Sequence, residues 1–233
     1  MGSGSGTNPD VIREIQRVDP SIVERARSIQ PALFTDVMGR RGAMNSRIRA
    51  LSRSMKVAGP AVTVDVRPGD NLMIHAAMAI AKPGDVLVID GKGDQGAALM
   101  GTIMLSVCRA LGIAGVVMDA PCRDSDEIIE MGFPMFCAGT NPNGPTKFVP
   151  GRINWPATVG GVVVNPGDLI VADADGVVVV ERDRAASLLA PATTKMADER
   201  KRLEAIARGE ALRPPWLKSA LLAAGVLKDG EEL

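Results

Sequence analysis

An apolar run, Ala114-Gly-Val-Val-Met-Asp-Ala-Pro, leads into Cys122-Arg123-Asp124, so a cation and a carboxylate arrive side by side at the end of one strand. Open α/β sheets bind ligands outside the carboxyl ends of their strands. There the planar fork of Arg123 can hold an oxyanion and the hard oxygens of Asp124 a divalent metal. The pair therefore points to chemistry on a small, oxygen-rich acid. Each residue also has a structural alternative: Arg123 can pair with Asp126 or Glu127, and Asp124 can cap a helix starting at 125. Asp119 ends the same strand and is expected to accept hydrogen bonds from the turn, supporting the site from behind.

Other candidates carry less. Gly91-Lys-Gly-Asp-Gln-Gly96 reads as a loop that opens a helix, and its N–H groups with the helix's first turn would cradle an anion. It has neither the GxGxxG nor the GxxxxGK[ST] pattern, so a small carboxylate fits better than a nucleotide; a plain strand-to-helix turn is the alternative. His75 is the only histidine and reads as a packed or surface residue. Cys122 beside Arg123 is expected to have its thiol pKa lowered, but no base accompanies it. A serine triad would need His75, and no GxSxG accompanies it.

Lys+Arg and Asp+Glu both number 27 and no long block of one sign occurs, which disfavours nucleic-acid and acidic-membrane partners. Aromatic residues make up 3% with no tyrosine, so stacking on single-stranded nucleic acid is disfavoured too. Cys108, Cys122 and Cys137 form no CxxC pair and read as reduced thiols in a cytoplasmic protein. No signal peptide or membrane span is recognised.

The elements that must position these residues follow from periodicity and turn signals. Residues 1–8 read as a flexible leader, 9–210 as one domain and 211–233 as a helical tail. Helices are expected at Pro9–Val18, Ser21–Ser28, Pro31–Gly39, Asn71–Ala81, Ala97–Leu111 (closed by Gly112), Asp124–Met131, Arg184–Arg208 and from Pro214 to Gly225. Strands are expected at Val62–Val66, up to Asp90, at Gly115–Asp119 and Phe133–Cys137, with two or three more in 161–180. Pro-Gly-Asp at 68–70, 83–85 and 166–168 is read as a recurrent turn type. Helices stop alternating with strands after Cys137, so the class is α/β with β-rich layers.

Taken together, Gly69-Asp70-Asn71, Pro83-Gly-Asp-Val-Leu-Val-Ile-Asp-Gly91, Gly101, Gly115-Val-Val-Met-Asp119, Arg123-Asp124 and Asn165-Pro-Gly-Asp-Leu-Ile-Val-Ala-Asp-Ala-Asp-Gly-Val-Val-Val179 resemble the RraA-like family. That family contains metal-dependent 4-hydroxy-4-methyl-2-oxoglutarate / 4-carboxy-4-hydroxy-2-oxoadipate aldolases and the regulator of ribonuclease E activity. The resemblance implies a β/β/α sandwich with helical N- and C-terminal segments, assembled as homotrimers or homohexamers with the site at a subunit interface. It implies that Asp124 binds Mg²⁺ or Mn²⁺, that Arg123 contacts the pyruvate part of a 2-oxo acid, and that Gly101, Thr102, Ile103 and Met104 line the substrate with backbone donors. Thr102 stands where aldolase members carry an acidic residue, and a hydroxyl can orient a water but cannot act as a carboxylate base. Glu199 matches an acidic residue contributed by a neighbouring subunit's C-terminal helix. The activities implied are an oxo-acid lyase with oxaloacetate decarboxylation as a side reaction, or a non-catalytic protein-binding regulator. A methyltransferase is disfavoured because no nucleotide-type glycine loop is present.

Overall fold

A computed structural model of the protein describes residues 10–210 and 212–232. Its contacts divide the chain into two compact units, Met1–Ala192 and Thr193–Leu233. In chain order the elements are helices α1 (Pro20–Ala26) and α2 (Pro31–Val37), strands β1 (Arg49–Ala50) and β2 (Val57–Asp65), α3 (Leu72–Ile80), β3 (Val86–Asp90), α4 (Thr102–Ala110), β4 (Gly115–Met118), α5 (Ser125–Met131) and β5 (Met135–Cys137). There follow β6 (Arg152–Ile153), β7 (Ala157–Val159), β8 (Val162–Val164), β9 (Leu169–Asp173), β10 (Gly176–Val180), α6 (Arg182–Ala207) and α7 (Leu217–Ala223). The class is α/β, as the sequence led us to expect.

An eight-stranded sheet runs β1-β5-β4-β3-β2-β9-β10, with β6 paired to the end of β2; β7 and β8 form a separate pair. Its centre is four parallel strands, β2 to β5, linked through α3, α4 and α5. Every residue of β3, β4 and β5 is buried. Such continuous apolar runs suit strands covered on both faces. Strand β2 joins two layers: Val57–Pro60 pair antiparallel with β9, whereas Ala61–Asp65 pair parallel with β3. Pro60, which has no N–H to give, lies where the partner changes.

The three Pro-Gly-Asp turns share one construction. Asp70, Asp85 and Asp168 donate their N–H to the carbonyls of Arg67, Lys82 and Asn165 at 3.0, 3.1 and 3.1 Å. The intervening Gly69, Gly84 and Gly167 have φ of +72°, +84° for Gly167 and +90° for Gly84. Proline followed by positive-φ glycine is a type II turn, which is the recurrent turn read from sequence. All three aspartates are buried.

Two expected helices differ. Described residues 10–18 are not helical. Val11 bridges Ile153, and the Arg17 guanidinium grips the Asp85 carboxylate with two bonds of 2.7 Å, so this stretch is tied down extended by long-range partners. Helix α4 begins at Thr102 and not at Ala97. Ala98 and Leu99 donate to the carbonyls of Asn143 and Pro121, and Met100 bridges Cys122, which holds 98–100 as an extended ribbon. The glycine loop 91–96 therefore does not open the helix, and the anion cradle expected from the two together does not form. The 139–156 loop carries the short strand β6. Residues 1–8, read as a leader, lie outside the described residues.

The first unit takes in the start of α6, whose buried residues are Ala185, Leu188, Leu189 and Ala192. In the second unit the rest of α6 and α7 are largely exposed. No helix among the described residues is long and apolar enough to cross a membrane.

The Asp85 side chain is 1% exposed. Arg17→Met leaves that carboxylate buried without its cation and is expected to lower unfolding free energy by about 3–5 kcal/mol. Lys82→Met, which removes only the exposed pair with Glu14, should cost under about 1 kcal/mol. Urea unfolding of both variants checks the contrast.

Candidate functional site

Four connections follow the carboxyl ends of the four parallel strands, and each sends residues to one cavity of about 170 Å³. Asn71 and His75 come after β2, Ala98–Gly101, Ile103 and Met104 after β3, Arg123 and Asp124 after β4, and Pro145 and Lys147 after β5. This is where an α/β sheet gathers its ligands. The Arg123–Asp124 turn and the Gly101–Met104 segment, singled out from sequence, are thus brought together.

The two segments are fitted tightly. Arg123 donates its N–H to the Met100 carbonyl at 3.0 Å. Asp124 sits in the left-handed region at φ +61° and precedes α5, but its side chain makes no cap to that helix. Its Oδ2 instead accepts the Thr102 N–H at 3.1 Å, so it caps α4. The expected capping role is therefore real in kind and wrong in target. Gly101 lies directly beneath: a Cβ there would collide with Asp124 Oδ2 and reach Arg123 Cγ at 3.0 Å. The ion partner of Arg123 is Asp124, Nε to Oδ2 at 3.8 Å, and not Asp126 or Glu127.

The first-turn N–H groups of Ile103 and Met104 lie too early in α4 to have intrahelical acceptors, and both residues line the cavity. With Arg123 and Lys147 they offer an anion both charge and directed donors. For a cation the donors are oxygens: Asp124, whose side chain is 37% exposed, and Asn71, whose buried Oδ1 has no hydrogen-bond partner among the described residues. No group of three or more His, Cys, Asp or Glu among those residues could by itself hold a metal. A carboxylate and an amide oxygen are hard donors, the type that Mg²⁺ or Mn²⁺ would take, with water and ligand oxygens needed for the rest of its shell.

Asn71, His75 and Lys147 were not predicted as site residues. His75 is exposed, as read, yet it lies one helical turn after Asn71 and so shares its face. That spacing was a usable signal. Lys147 had none, because its place depends on Asp70. The buried Asp70 carboxylate accepts from Thr146 Oγ1 at 2.7 Å and from the Phe148, Val149 and Leu72 N–H groups at 2.8, 3.3 and 3.0 Å. These bonds fasten the 146–149 segment beside the start of α3.

Asp119, expected to support the site from behind, is 3% exposed and is not among the residues that line the cavity. Its Oδ2 takes Arg47 Nη2 at 2.7 Å, a partner from a distant loop and not from its own turn, while Oδ1 is buried with no hydrogen-bond partner among the described residues. Glu199 belongs to the second unit and pairs along α6 with Lys195 at 3.8 Å. The three cysteines are buried and free, as expected. The Cys122 thiol, expected to be acidified by Arg123, is instead pushed up by its hydrogen bond to Cys137, 3.6 Å away, and by burial. Arg123 is exposed and its charge is spent on solvent and Asp124.

A model of the RraA-like family, described as Aldolase/RraA, matches residues 20–179. The chain belongs to the RraA-like family. A Halalkalibacterium halodurans protein with the provisional name 4-hydroxy-4-methyl-2-oxoglutarate aldolase is 40% identical over 192 residues, 82% of this chain and 91% of the relative. Among solved structures, Streptomyces coelicolor RraAS2, described as an unusual member of the RNase ES inhibitor RraA family, aligns with TM-score 0.71 and 30% identity, covering 86% of this chain and all of its own. A Geobacillus kaustophilus protein described as S-adenosylmethionine: 2-dimethylmenaquinone methyltransferase aligns with TM-score 0.63 and 33% identity, over 68% of this chain and 98% of that one.

Burial alone would raise the Asp70 pKa, but the Phe148 N–H, the Thr146 hydroxyl and the other two donors outweigh it and the pKa falls. A carboxyl depressed on folding contributes stability that is whole above its unfolded pKa of about 4 and is lost as pH drops through the folded value. Asp70→Asn should therefore cost about 2–3 kcal/mol at pH 7. The difference from wild type, followed by thermal unfolding, should shrink below about pH 4.

Proposed function

We propose that the protein is a divalent-metal-dependent lyase that cleaves a 4-hydroxy-2-oxo acid to pyruvate and a second oxo acid, with oxaloacetate decarboxylation as a side reaction. The observation that carries this reading is Arg123 and Asp124 facing the start of α4 in one small cavity that also holds Lys147 and His75. Kinship with the 40%-identical relative named as an aldolase supports the reaction class.

In this reading the 2-oxo acid's carboxylate lies on the Ile103 and Met104 N–H groups, and the Arg123 guanidinium holds its ketone side. Scission of the carbon–carbon bond leaves an enolate, and Arg123 stabilises the charge that develops on its oxygen. Asp124, with Asn71 lining the same cavity, would hold Mg²⁺ or Mn²⁺, and the ion would supply Lewis-acid polarisation of the oxo group. Lys147 and His75 lie on the same wall and suit the distal carboxylate of a dicarboxylic substrate. Glu199 of a neighbouring subunit in a homotrimer or homohexamer would draw off the 4-hydroxyl proton through a water as the bond breaks, and that water would return a proton to the enolate carbon to give pyruvate.

Pyruvate release from 4-hydroxy-4-methyl-2-oxoglutarate is the direct assay. Activity should require Mg²⁺, vanish in EDTA and return on re-addition, and Asp124→Ala should lower kcat/KM by about 10²–10³. Turnover indifferent to both EDTA and Asp124→Ala overturns the reading. Arg123→Lys keeps the charge but loses the fork, and should lower kcat/KM for oxaloacetate tenfold or more, a loss of about 1.4 kcal/mol of transition-state stabilisation.

A second reading, a protein-binding regulator, is favoured by the RraAS2 alignment and by Ile103 and Phe148, which are 81% and 82% exposed. Large apolar side chains held in solvent mark contact surfaces. Absence of lyase turnover together with a saturable protein complex lost in Phe148→Asp would favour this alternative.

A further inference from the structure

We propose that Glu127 and Thr102 work as a pair, in which the Glu127 carboxylate takes the Thr102 hydroxyl proton in a hydrogen bond and so turns Thr102 Oγ1 into an acceptor beside the Asp124 carboxylate. The inference rests on the lyase reading and names a positioning residue for it. Thr102 Oγ1 donates to Glu127 Oε2 at 3.1 Å, and the Thr102 N–H goes to Asp124 Oδ2, also at 3.1 Å. Both polar hydrogens of Thr102 are thereby committed to carboxylates of one segment. A hydroxyl has one hydrogen and two lone pairs. Once its hydrogen is fixed on Glu127, what it can offer any water or ligand proton nearby is acceptor capacity alone, which is what a carboxylate oxygen offers.

The placement follows from the local fold. Glu127 lies in the first turn of α5, three residues after the left-handed Asp124. The left-handed backbone at Asp124 presents this first turn to the first residue of α4. Glu127 bonds the uncharged Thr102 hydroxyl, and its neighbours Asp126 and Glu130 on α5 are acidic as well. It therefore adds negative potential beside Asp124, the residue proposed to hold the metal. A competing role exists, since an acidic residue in the first turn of a helix also stabilises that helix.

The test separates these roles. Mn²⁺ binding to the full-length protein is followed by the electron paramagnetic resonance signal of the free ion, alongside pyruvate release and thermal unfolding. Glu127→Gln should weaken Mn²⁺ binding about three- to tenfold, the scale of one partly exposed charge, and lower kcat/KM. Thr102→Val, which leaves the Glu127 charge in place and removes only the hydroxyl, should weaken Mn²⁺ binding as well, which a loss of charge at the start of α5 could not explain. Wild-type Mn²⁺ affinity and turnover in Glu127→Gln, or wild-type Mn²⁺ affinity in Thr102→Val, overturns the inference while leaving the lyase reading standing. Wild-type Mn²⁺ affinity in Asp124→Asn would instead overturn both.

Discussion

The site depends on Gly101 having no side chain. The ribbon 98–100 runs beside 121–123, joined by Leu99 to Pro121, Met100 to Cys122 and Arg123 to Met100. Helix α4 must then start where the second strand's turn crosses it. Only a residue without Cβ leaves room for the Asp124 carboxylate to lie over that start and accept the Thr102 N–H. The same contact sets the left-handed backbone at Asp124, a conformation that aspartate tolerates better than most residues because its side chain can bond locally. From it follow the direction of α5, the place of Glu127, and the opening between Arg123 and the first turn of α4.

Buried aspartates do for the rest of the fold what Asp124 does for the site. Asp70, Asp85 and Asp168 each close a Pro-Gly turn and then use their side chains at long range. Asp85 takes Arg17 from the N-terminal segment, Asp168 takes the Arg182 N–H at the start of α6, and Asp70 takes the 146–149 segment. A charge taken out of water is tolerated only where several donors meet it. These turns therefore fix tertiary geometry as well as chain reversal. Asp70 links this scaffold to the site, because the segment it grips carries Lys147.

Much of this was legible in the sequence because it is local. The strand ending at Asp90, the strand Gly115–Met118, helix α5 and the positive-φ glycines of the Pro-Gly-Asp turns are written in runs of fewer than ten residues. The Arg123–Asp124 pair was legible for the same reason: an apolar strand followed by a charged turn needs no partner to be recognised. What was not legible is what distant partners impose. Helical spacing at 9–18 was overridden by Asp85 and Ile153, and the first turn of the expected 97–111 helix by Pro121 and Asn143. Lys147 enters the cavity only because Asp70, 77 positions away, holds its neighbours; no short pattern encodes that distance. The direction in which Asp124 caps was hidden too, since an aspartate before a helix looks the same whether it bonds its own helix or another.

The contrast between two arginine–aspartate pairs shows why the site pair is free to act. Arg17 and Asp85 meet through two bonds of 2.7 Å, with the carboxylate sealed from water, and separating them would strand a buried charge. Arg123 and Asp124 meet once at 3.8 Å, with side chains 45% and 37% exposed. An ion pair of that kind is worth about 0–1 kcal/mol. An incoming oxyanion can take the guanidinium, and a metal the carboxylate, with little lost from the free protein. Each group is nevertheless held in place, Arg123 by its backbone bond to Met100 and Asp124 by the Thr102 N–H. The pair is fixed through the backbone and loose between its charges, which is the combination the proposed lyase requires for two adjacent opposite charges to meet two different ligands.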